Sequence, residues 1–187
     1  LKMSPEEHLG HIKKTINYAL EKGFTVNLYL EDWSSGMRDS RDYLFGMMDE
    51  LVKLPIKRFL LPDTLGILNP LECVEYMRLM VRRYPDSHFD FHAHNDYDLA
   101  VSNSLAAVLS GAKGLHVTVN GLGERCGNAP LASVQVILKD MFHAKTNIKE
   151  DRLNDVSRLV EGYSGIAVAP NTPVVGDNVF TQVAGVH

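Results

Sequence analysis

Two histidines separated by one residue are the part of this sequence whose type and spacing most directly indicate chemistry. His92 and His94 end an apolar run that has the length and composition of a β-strand, and the polar residues 95–98 follow them. Alternate residues of a strand point to the same face, so both imidazoles point the same way. Imidazole is a common ligand of divalent metals, but such a site normally needs three or four ligands. The pair taken alone therefore has two equally good interpretations. It is half of a metal site, or it is one buried and one solvated histidine.

Polar residues also follow the other strand-like runs of the sequence. In a parallel α/β fold, ligands bind at the carboxyl ends of the strands. Tyr29 and Glu31 share a face by alternation, whereas alternation cannot decide whether Asp63 or Thr64 points inward because their strand is apolar on both faces. The fourth run leads into a loop containing Asn120, Glu124, Arg125 and Asn128. Each position taken singly is more often a solvated loop residue, but polar groups at four consecutive strand ends favour a site.

The order of apolar patterns predicts an α/β protein made of successive strand-plus-helix units. The strands are predicted at residues 24–32, 58–66, 88–94 and 113–119, and the helices at 4–22, 40–54, 69–83, 97–110, 131–142 and 150–163. Ser4 with Pro5, and Asn69 with Pro70, are typical helix starts, and we interpret residues 33–40 as a turn. Four such units are half of a TIM (β/α)8 barrel, although a free-standing, doubly wound parallel sheet has the same pattern.

Composition excludes several classes of function. The chain has 187 residues, is 45% hydrophobic and 22% charged, and has a net charge of -4, which offers no basic face for nucleic acid. No apolar run approaches the roughly 20 residues of a membrane span. Cys73 and Cys126 are too few for a disulfide framework, so we expect reduced thiols in a cytoplasmic protein and interpret Cys126 as a small buried thiol.

The glycine-rich loop after the fourth strand has a superficial dinucleotide-binding pattern. Gly121 and Gly123 fit that pattern, but Gly127 comes one place too late and no strand with a terminal acid follows about 20 residues later. We expect a tight turn instead, with Glu124 and Arg125 forming a local pair. Four other histidines, at 8, 11, 88 and 143, show no ligand spacing, and we expect them to be at the surface or half-buried.

Two long strings make the sequence recognisable. HAHNDYDLAVSNSLAAVLSGA and TVNGLGERCGNAPL resemble the signature of the metal-dependent acyl-CoA:2-oxoacid condensing enzymes, the family of isopropylmalate, homocitrate and citramalate synthases on a TIM barrel. LYLEDWSSGMRDS, LPDTLGILNP and PVVGDNVFTQVAGVH extend the resemblance over nearly the whole chain, and YLEDW looks most like the citramalate synthases, which take pyruvate. The resemblance implies the second half of the barrel in residues 1–150, and a helix plus the start of a post-barrel subdomain in 151–187.

The resemblance also implies roles for individual residues. The metal ligands would be His92, His94 and Asn128; the catalytic residues Glu31 and His187; and the substrate-binding residues Tyr29 and Thr64. It further implies a divalent metal (Zn, Mn, Mg or Co), acetyl-CoA as co-substrate, small-molecule substrates, and a cytoplasmic, homodimeric full-length enzyme of branched-chain amino-acid biosynthesis.

One departure from the family is large. Members begin with a strand carrying an Arg-Asp pair, whose Asp is a third protein ligand of the metal, and this sequence starts after that region. We therefore expect the segment alone to bind metal weakly and to be inactive, with the companion half upstream or on another chain. Three alternatives stay open: a metal-dependent aldolase or lyase of the same superfamily, a non-catalytic half-barrel partner, and a phosphosugar barrel enzyme.

Overall fold

The computed structural model describes residues 3–182. The chain forms two compact units, Leu1–His116 and Val117–His187. The first contains the four-stranded sheet with its helices, and the second contains the glycine-rich loop and the last helices. The boundary that the sequence predicts near residue 150 stays a prediction.

The first unit is built from alternating helices and parallel strands. Its elements are α1 (Pro5–Glu21), β1 (Asn27–Tyr29), α2 (Trp33–Asp39), α3 (Arg41–Leu51), β2 (Arg58–Asp63), α4 (Pro70–Arg83), β3 (Phe89–Ala93), α5 (Ala100–Leu109) and β4 (Gly114–His116). All paired strands are parallel and their spatial order is β1-β2-β3-β4. A doubly wound sheet reverses its strand order at a switch point. Among the described residues, the strand order of this sheet does not reverse. The order confirms the α/β class and the half-barrel interpretation.

The strand register decides which side chains share the face that carries the histidines. Tyr29 pairs with Leu60, Leu60 with Asp90, and Asp90 with Gly114. Two residues further along β3, His92 pairs with Pro62 on one side and His116 on the other. Partners in register point to the same face, and so do residues two apart on one strand. These residues therefore share one face, which we call the site face.

The opposite face of the sheet packs under the helices. Phe89, Phe91 and Ala93 on β3 are almost fully buried there, in alternation with Asp90 and His92. The Trp33 ring of α2 meets the Phe91 ring edge-on, with 6.3 Å between centroids. The core of this unit thus lies between the sheet and its helices.

The interpretation of residues 33–40 as a turn is wrong, because this segment contains helix α2. Trp33 and Met37 are 1% and 0% exposed and lie one helical turn apart, so burying both on one face outweighs the turn propensity of the intervening Ser-Ser-Gly. Asp32, just before the helix, has a left-handed backbone with φ of 55°. Tertiary burial has decided the structure of this segment.

Both predicted helix starts are confirmed, and each forms a capping box. The Ser4 hydroxyl accepts a hydrogen bond from the Glu7 backbone while the Glu7 carboxylate accepts one from the Ser4 backbone. The same reciprocal pair joins Asn69 and Glu72 at the start of α4. Each pair satisfies amide groups that would otherwise lack a partner in the first turn.

The second unit contains α6 (Leu131–Asp140) and α7 (Leu153–Ser164), with a 3-10 turn at Val119–Gly121 and another at Glu150–Arg152. Its small apolar cluster consists of Ala132, Leu153 and Val175. β4 ends at His116, shorter than the predicted strand 113–119, and Thr118 instead forms an isolated parallel bridge with Pro130. In the part of the chain that the structure describes, no helix is long and apolar enough to cross a membrane.

The cap of α4 can be tested by substitution. The Asn69 side chain accepts hydrogen bonds from the backbone of Leu71 and Glu72, each at 3.0 Å. We expect Asn69→Ala to lower the free energy of unfolding by about 1 kcal/mol and Asn69→Gly by only a few tenths, as measured by urea denaturation. Equal losses in the two variants would contradict a role for Asn69 as the cap.

Candidate functional site

The imidazoles of His92 and His94 lie next to each other on the site face. Their ring centroids are 4.9 Å apart and their planes nearly perpendicular, at 88°. The Nδ1 atoms of both rings are buried and make no hydrogen bond. Burial lowers the pKa of His92, and the charges that His94 and His116 can carry lower it further, so this ring stays neutral at pH 7. A neutral imidazole is the form that binds a metal.

These two rings could hold a metal but do not complete a site. Within residues 3–182, no three His, Cys, Asp or Glu side chains are grouped so that they could hold an ion. Two imidazoles with unpartnered nitrogens fit a divalent cation of intermediate softness, and further ligands have to come from other groups. The described part of the chain thus offers two imidazoles that could serve as ligands.

Asn128, the third expected ligand, lies in the second unit. Its amide nitrogen donates to the Leu122 carbonyl at 3.1 Å, and its Oδ1 is buried with no hydrogen-bond partner. The backbone of the loop closes tightly around this side chain, because a methyl group on Gly123 would lie 2.1 Å from Asn128 Nδ2. The carbonyl oxygen of the amide is therefore held in one orientation and left available to a ligand.

Glu31 and Thr64, from the ends of β1 and β2, form a hydrogen-bonded pair. The Thr64 hydroxyl donates to Glu31 Oε1 at 2.8 Å and accepts from the Asp32 backbone amide at 3.0 Å. Glu31 is exposed to solvent and Thr64 is half-buried. The structure brings together these two expected site residues, and the hydroxyl fixes the direction of the carboxylate.

Asp63 and its neighbour Thr64 have different roles in the structure. This difference decides which of the two side chains lies beside Glu31, a choice that alternation left open. Its side chain is fully buried and accepts hydrogen bonds from the Ile67 and Leu68 amides, at 3.0 and 3.1 Å. Burial raises the pKa of this carboxyl, with these hydrogen bonds opposing the shift. Asp63 thus organises the loop after β2, while Thr64 faces Glu31.

Asp90 and His116 also lie on the site face, and neither belongs to the polar residues that follow the strands. Tyr29, an expected substrate-binding residue on β1, reaches His116 on β4, with 2.6 Å between its hydroxyl and His116 Nδ1. The other nitrogen of His116 lies 3.5 Å from Asp90 Oδ2. The signal was present in the sequence, because Asp90 precedes His92 by two residues and shares its face. The sequence signal that identifies Asp90 is thus an acidic residue within an otherwise apolar strand.

Asp90 is a buried carboxylate surrounded by positively charged or titratable groups. It is 2% exposed, with Arg58 NH1 3.2 Å from one oxygen and His88 Nε2 2.8 Å from the other. Gly114, its partner in register, leaves the room that it needs, because a methyl group there would lie 2.3 Å from Asp90 Oδ1. Burying a charge is favourable only with such partners.

The loop after β4 confirms one expectation and corrects another. Glu124 and Arg125 form the expected local pair, at 3.8 Å. The interpretation of Cys126 as a buried thiol is wrong, because the cysteine is exposed at the tip of the loop next to Arg125, whose φ is 55°. Cys73 is buried as a free thiol in α4. His187, the second expected catalytic residue, lies outside the described residues.

Comparison with known proteins identifies the family. The family model described as HMGL-like matches residues 1–160. The chain is 41% identical over its whole length to a probable 2-isopropylmalate synthase and 38% identical to a putative (R)-citramalate synthase, both of Methanopyrus kandleri. It is 42% identical to a homocitrate synthase of Saccharolobus islandicus. The chain belongs to the HMGL-like family, as the resemblance of its motifs predicts, and it spans 36–40% of the length of these relatives.

Solved structures support the same fold. The HMG-CoA lyase of Bacillus subtilis superposes with a TM-score of 0.77 at 21% identity, over 92% of this chain and 60% of that one. At this identity the likeness concerns the fold alone. The strand order of the first unit and this likeness agree on half of a TIM barrel.

The clearance between Gly114 and Asp90 can be tested directly. We expect Gly114→Ala to lower the free energy of unfolding by about 1 to 3 kcal/mol, because the new methyl group collides with the buried carboxylate. Gly46→Ala is the matched control, since nothing lies within 4 Å of the added methyl group in α3, and it should gain about 0.5 to 1 kcal/mol. Thermal and denaturant unfolding measure both, and an unchanged Gly114→Ala variant would contradict the register.

Proposed function

We propose that the protein, at its full natural length, condenses acetyl-CoA with a short 2-oxoacid and releases free coenzyme A. Pyruvate, giving citramalate, is the favoured oxoacid, and 2-oxoisovalerate, giving 2-isopropylmalate, is the next. The similarity to three synthases at 38–42% identity supports the reaction class, and their different names leave the oxoacid to be measured. The chain covers well under half of these relatives, so the reaction is proposed for the whole protein.

One observation carries the proposal: the neighbouring imidazoles of His92 and His94 share one sheet face with a carboxylate that is aimed by a hydroxyl. The Nδ1 atoms of both rings lack partners, and the Glu31 carboxylate is held by Thr64 at 2.8 Å. Glu31 lies close enough to His92 for its charge to act on the pKa of that ring, against the stronger effect of burial. A metal-binding pair beside a base suits a metal-assisted addition to a carbonyl.

We propose that His92 and His94 hold a divalent metal ion, and Asn128 is proposed as a further ligand on the strength of its motif alone. When bound, the ion supplies Lewis-acid chemistry by polarising the keto group of the oxoacid. A donor set of two imidazoles and one amide oxygen mixes nitrogen and oxygen ligands, so the proposal includes Zn, Mn, Mg and Co. The remaining ligands would come from the substrate and from residues outside this chain or in its undescribed part.

The carboxylate and the hydroxyl have complementary tasks in this proposal. Glu31 would stand near the acetyl methyl group and take part in removing its proton, and the Thr64 hydroxyl would turn its one proton from Glu31 to an oxygen of the oxoacid when the substrate binds. General acid-base help of this kind contributes about 10² to 10⁴ in rate. His187 is proposed as a further acid-base residue on the strength of the motif alone. The homodimer and the cytoplasmic location expected from the resemblance stay predictions.

The reaction can be tested by thiol release in the full-length protein. We expect free thiol from acetyl-CoA with one oxoacid among pyruvate, 2-oxoisovalerate and 2-oxoglutarate, lost on chelation and in His92→Ala. Glu31→Gln should lower kcat by about 10² to 10⁴ without changing the fold, because it removes the base and keeps the side-chain shape. A folded, metal-loaded protein that releases no thiol but cleaves a carbon-carbon bond would replace the synthase proposal with a lyase.

Metal binding can be measured without turnover. We expect Zn²⁺ or Co²⁺ to raise the melting temperature of the chelator-treated protein, because binding to the folded state adds about 2.7 kcal/mol at a concentration 100 times the Kd. His94→Ala should lose this gain, and His11→Ala, which removes an exposed imidazole of α1, should retain it. An equal gain in His94→Ala would argue against His94 as a ligand.

A further inference from the structure

The contact between Tyr29 and His116 joins the first and the last strand of the sheet. Neighbouring strands lie about 4.8 Å apart, so β1 and β4 would be about 14 Å apart in a flat sheet. The Tyr29 hydroxyl nevertheless lies 2.6 Å from His116 Nδ1, and the ring centroids are 5.7 Å apart. The sheet must therefore curve toward the site face, and these two side chains meet above β2 and β3.

The orientation of His116 is set from its other side. Its Nε2 lies 3.5 Å from Asp90 Oδ2, and Asp90 is itself held by Arg58 and His88. A carboxylate next to one imidazole nitrogen favours the tautomer with its proton on that nitrogen. The Nδ1 atom of His116 is then an acceptor, and the Tyr29 hydroxyl donates to it. Burial, with Glu31 and Asp90, raises the pKa of Tyr29, which keeps this hydroxyl protonated.

Packing alone does not hold the Tyr29 ring. In the described half of the barrel the residue is 49% exposed, so the helices and strands of this half do not enclose its ring. The hydroxyl contact with His116 is what fixes the position of the ring within this half. Tyr29 is in register with Leu60, which is in register with Asp90. Glu31 and His92 lie two residues further along the chain than Tyr29 and Asp90. The His116 ring is 6.2 Å from the His92 ring, so the anchored pair borders the proposed metal ligands.

We propose that His116, anchored by Asp90, is a positioning residue that fixes the Tyr29 ring across the site face and thereby limits the side chain of the oxoacid to a small group. This inference rests on the proposed function and adds its specificity. A methyl substituent, as in pyruvate, fits beside a fixed ring. A branched substituent needs the ring to turn away, which breaks the contact with His116. Discrimination by a single methylene in a hydrophobic pocket is typically about 10-fold to 200-fold.

Three substitutions in the full-length protein separate the Asp90–His116 contact from the His116–Tyr29 contact. Tyr29→Phe keeps the ring and removes the hydroxyl. His116→Asn places an amide where Nδ1 stands and keeps an acceptor for Tyr29, whereas His116→Gln places it where Nε2 stands and keeps only the contact with Asp90. The two histidine variants are thus matched controls for each other.

The readout is kcat/KM for pyruvate relative to 2-oxoisovalerate, with kcat and KM separated. We expect Tyr29→Phe and His116→Gln to shift this ratio about 10-fold toward the branched oxoacid, mainly through KM, and His116→Asn to shift it much less. A merely structural role would lower the rates with both oxoacids in parallel. An unchanged ratio in Tyr29→Phe and His116→Gln would overturn the proposal, and so would equal shifts in the two histidine variants.

A spectroscopic measurement keeps this test separate from the proposed reaction. The ¹⁵N shifts of the His116 imidazole should indicate a protonated Nε2 and an accepting Nδ1, and the Nδ1 shift should change in Tyr29→Phe. If the wild-type protein releases no thiol with any oxoacid, the proposed function and the specificity built on it both fail, while the nitrogen shifts still decide the anchoring. If thiol is released but the Nδ1 shift is the same in Tyr29→Phe, only the further inference fails.

Discussion

A single buried carboxylate, Asp90, organises the site face. Taking an ionised carboxylate out of water costs several kcal/mol unless charged or hydrogen-bonding partners replace the water. Asp90 obtains these partners from both neighbouring strands, through Arg58 and His116, and from His88 just before its own strand. The orientation of His116, and through it that of Tyr29, depends on this carboxylate. The position of the carboxylate in turn depends on the absence of a side chain at Gly114.

The sequence was sufficient wherever the structure is decided by local interactions. The capping boxes at Ser4 and Asn69 are local, and so is the alternation that places His92 and His94 on one face. The length of β4 and the helix at 33–39 depended on contacts with distant residues, which no window of sequence contains. The turn-like composition around Gly36 was outweighed by the burial of Trp33 and Met37.

The candidate site shows the same division between local interactions, which the sequence contains, and contacts with distant residues, which it does not. Alternation could place Tyr29 and Glu31 on one face, but it could not distinguish Asp63 from Thr64, because that difference depends on which side chain meets the loop amides and which meets Glu31. The position of Asp90 on the site face follows from alternation, but the roles of Asp90 and His116 could not be predicted, because these roles depend on contacts between strands. Residues that touch across a sheet are specified by register, and register became known only with the fold.

The space beside Asp90 has a consequence for how this part of the sequence can vary. Positions 90 and 114 are neighbours in register, and the carboxylate at one occupies the volume where a side chain at the other would begin. A β-carbon at 114 is therefore compatible only with a smaller or differently oriented residue at 90. The two positions should change together among related sequences, although they are 24 positions apart along the chain.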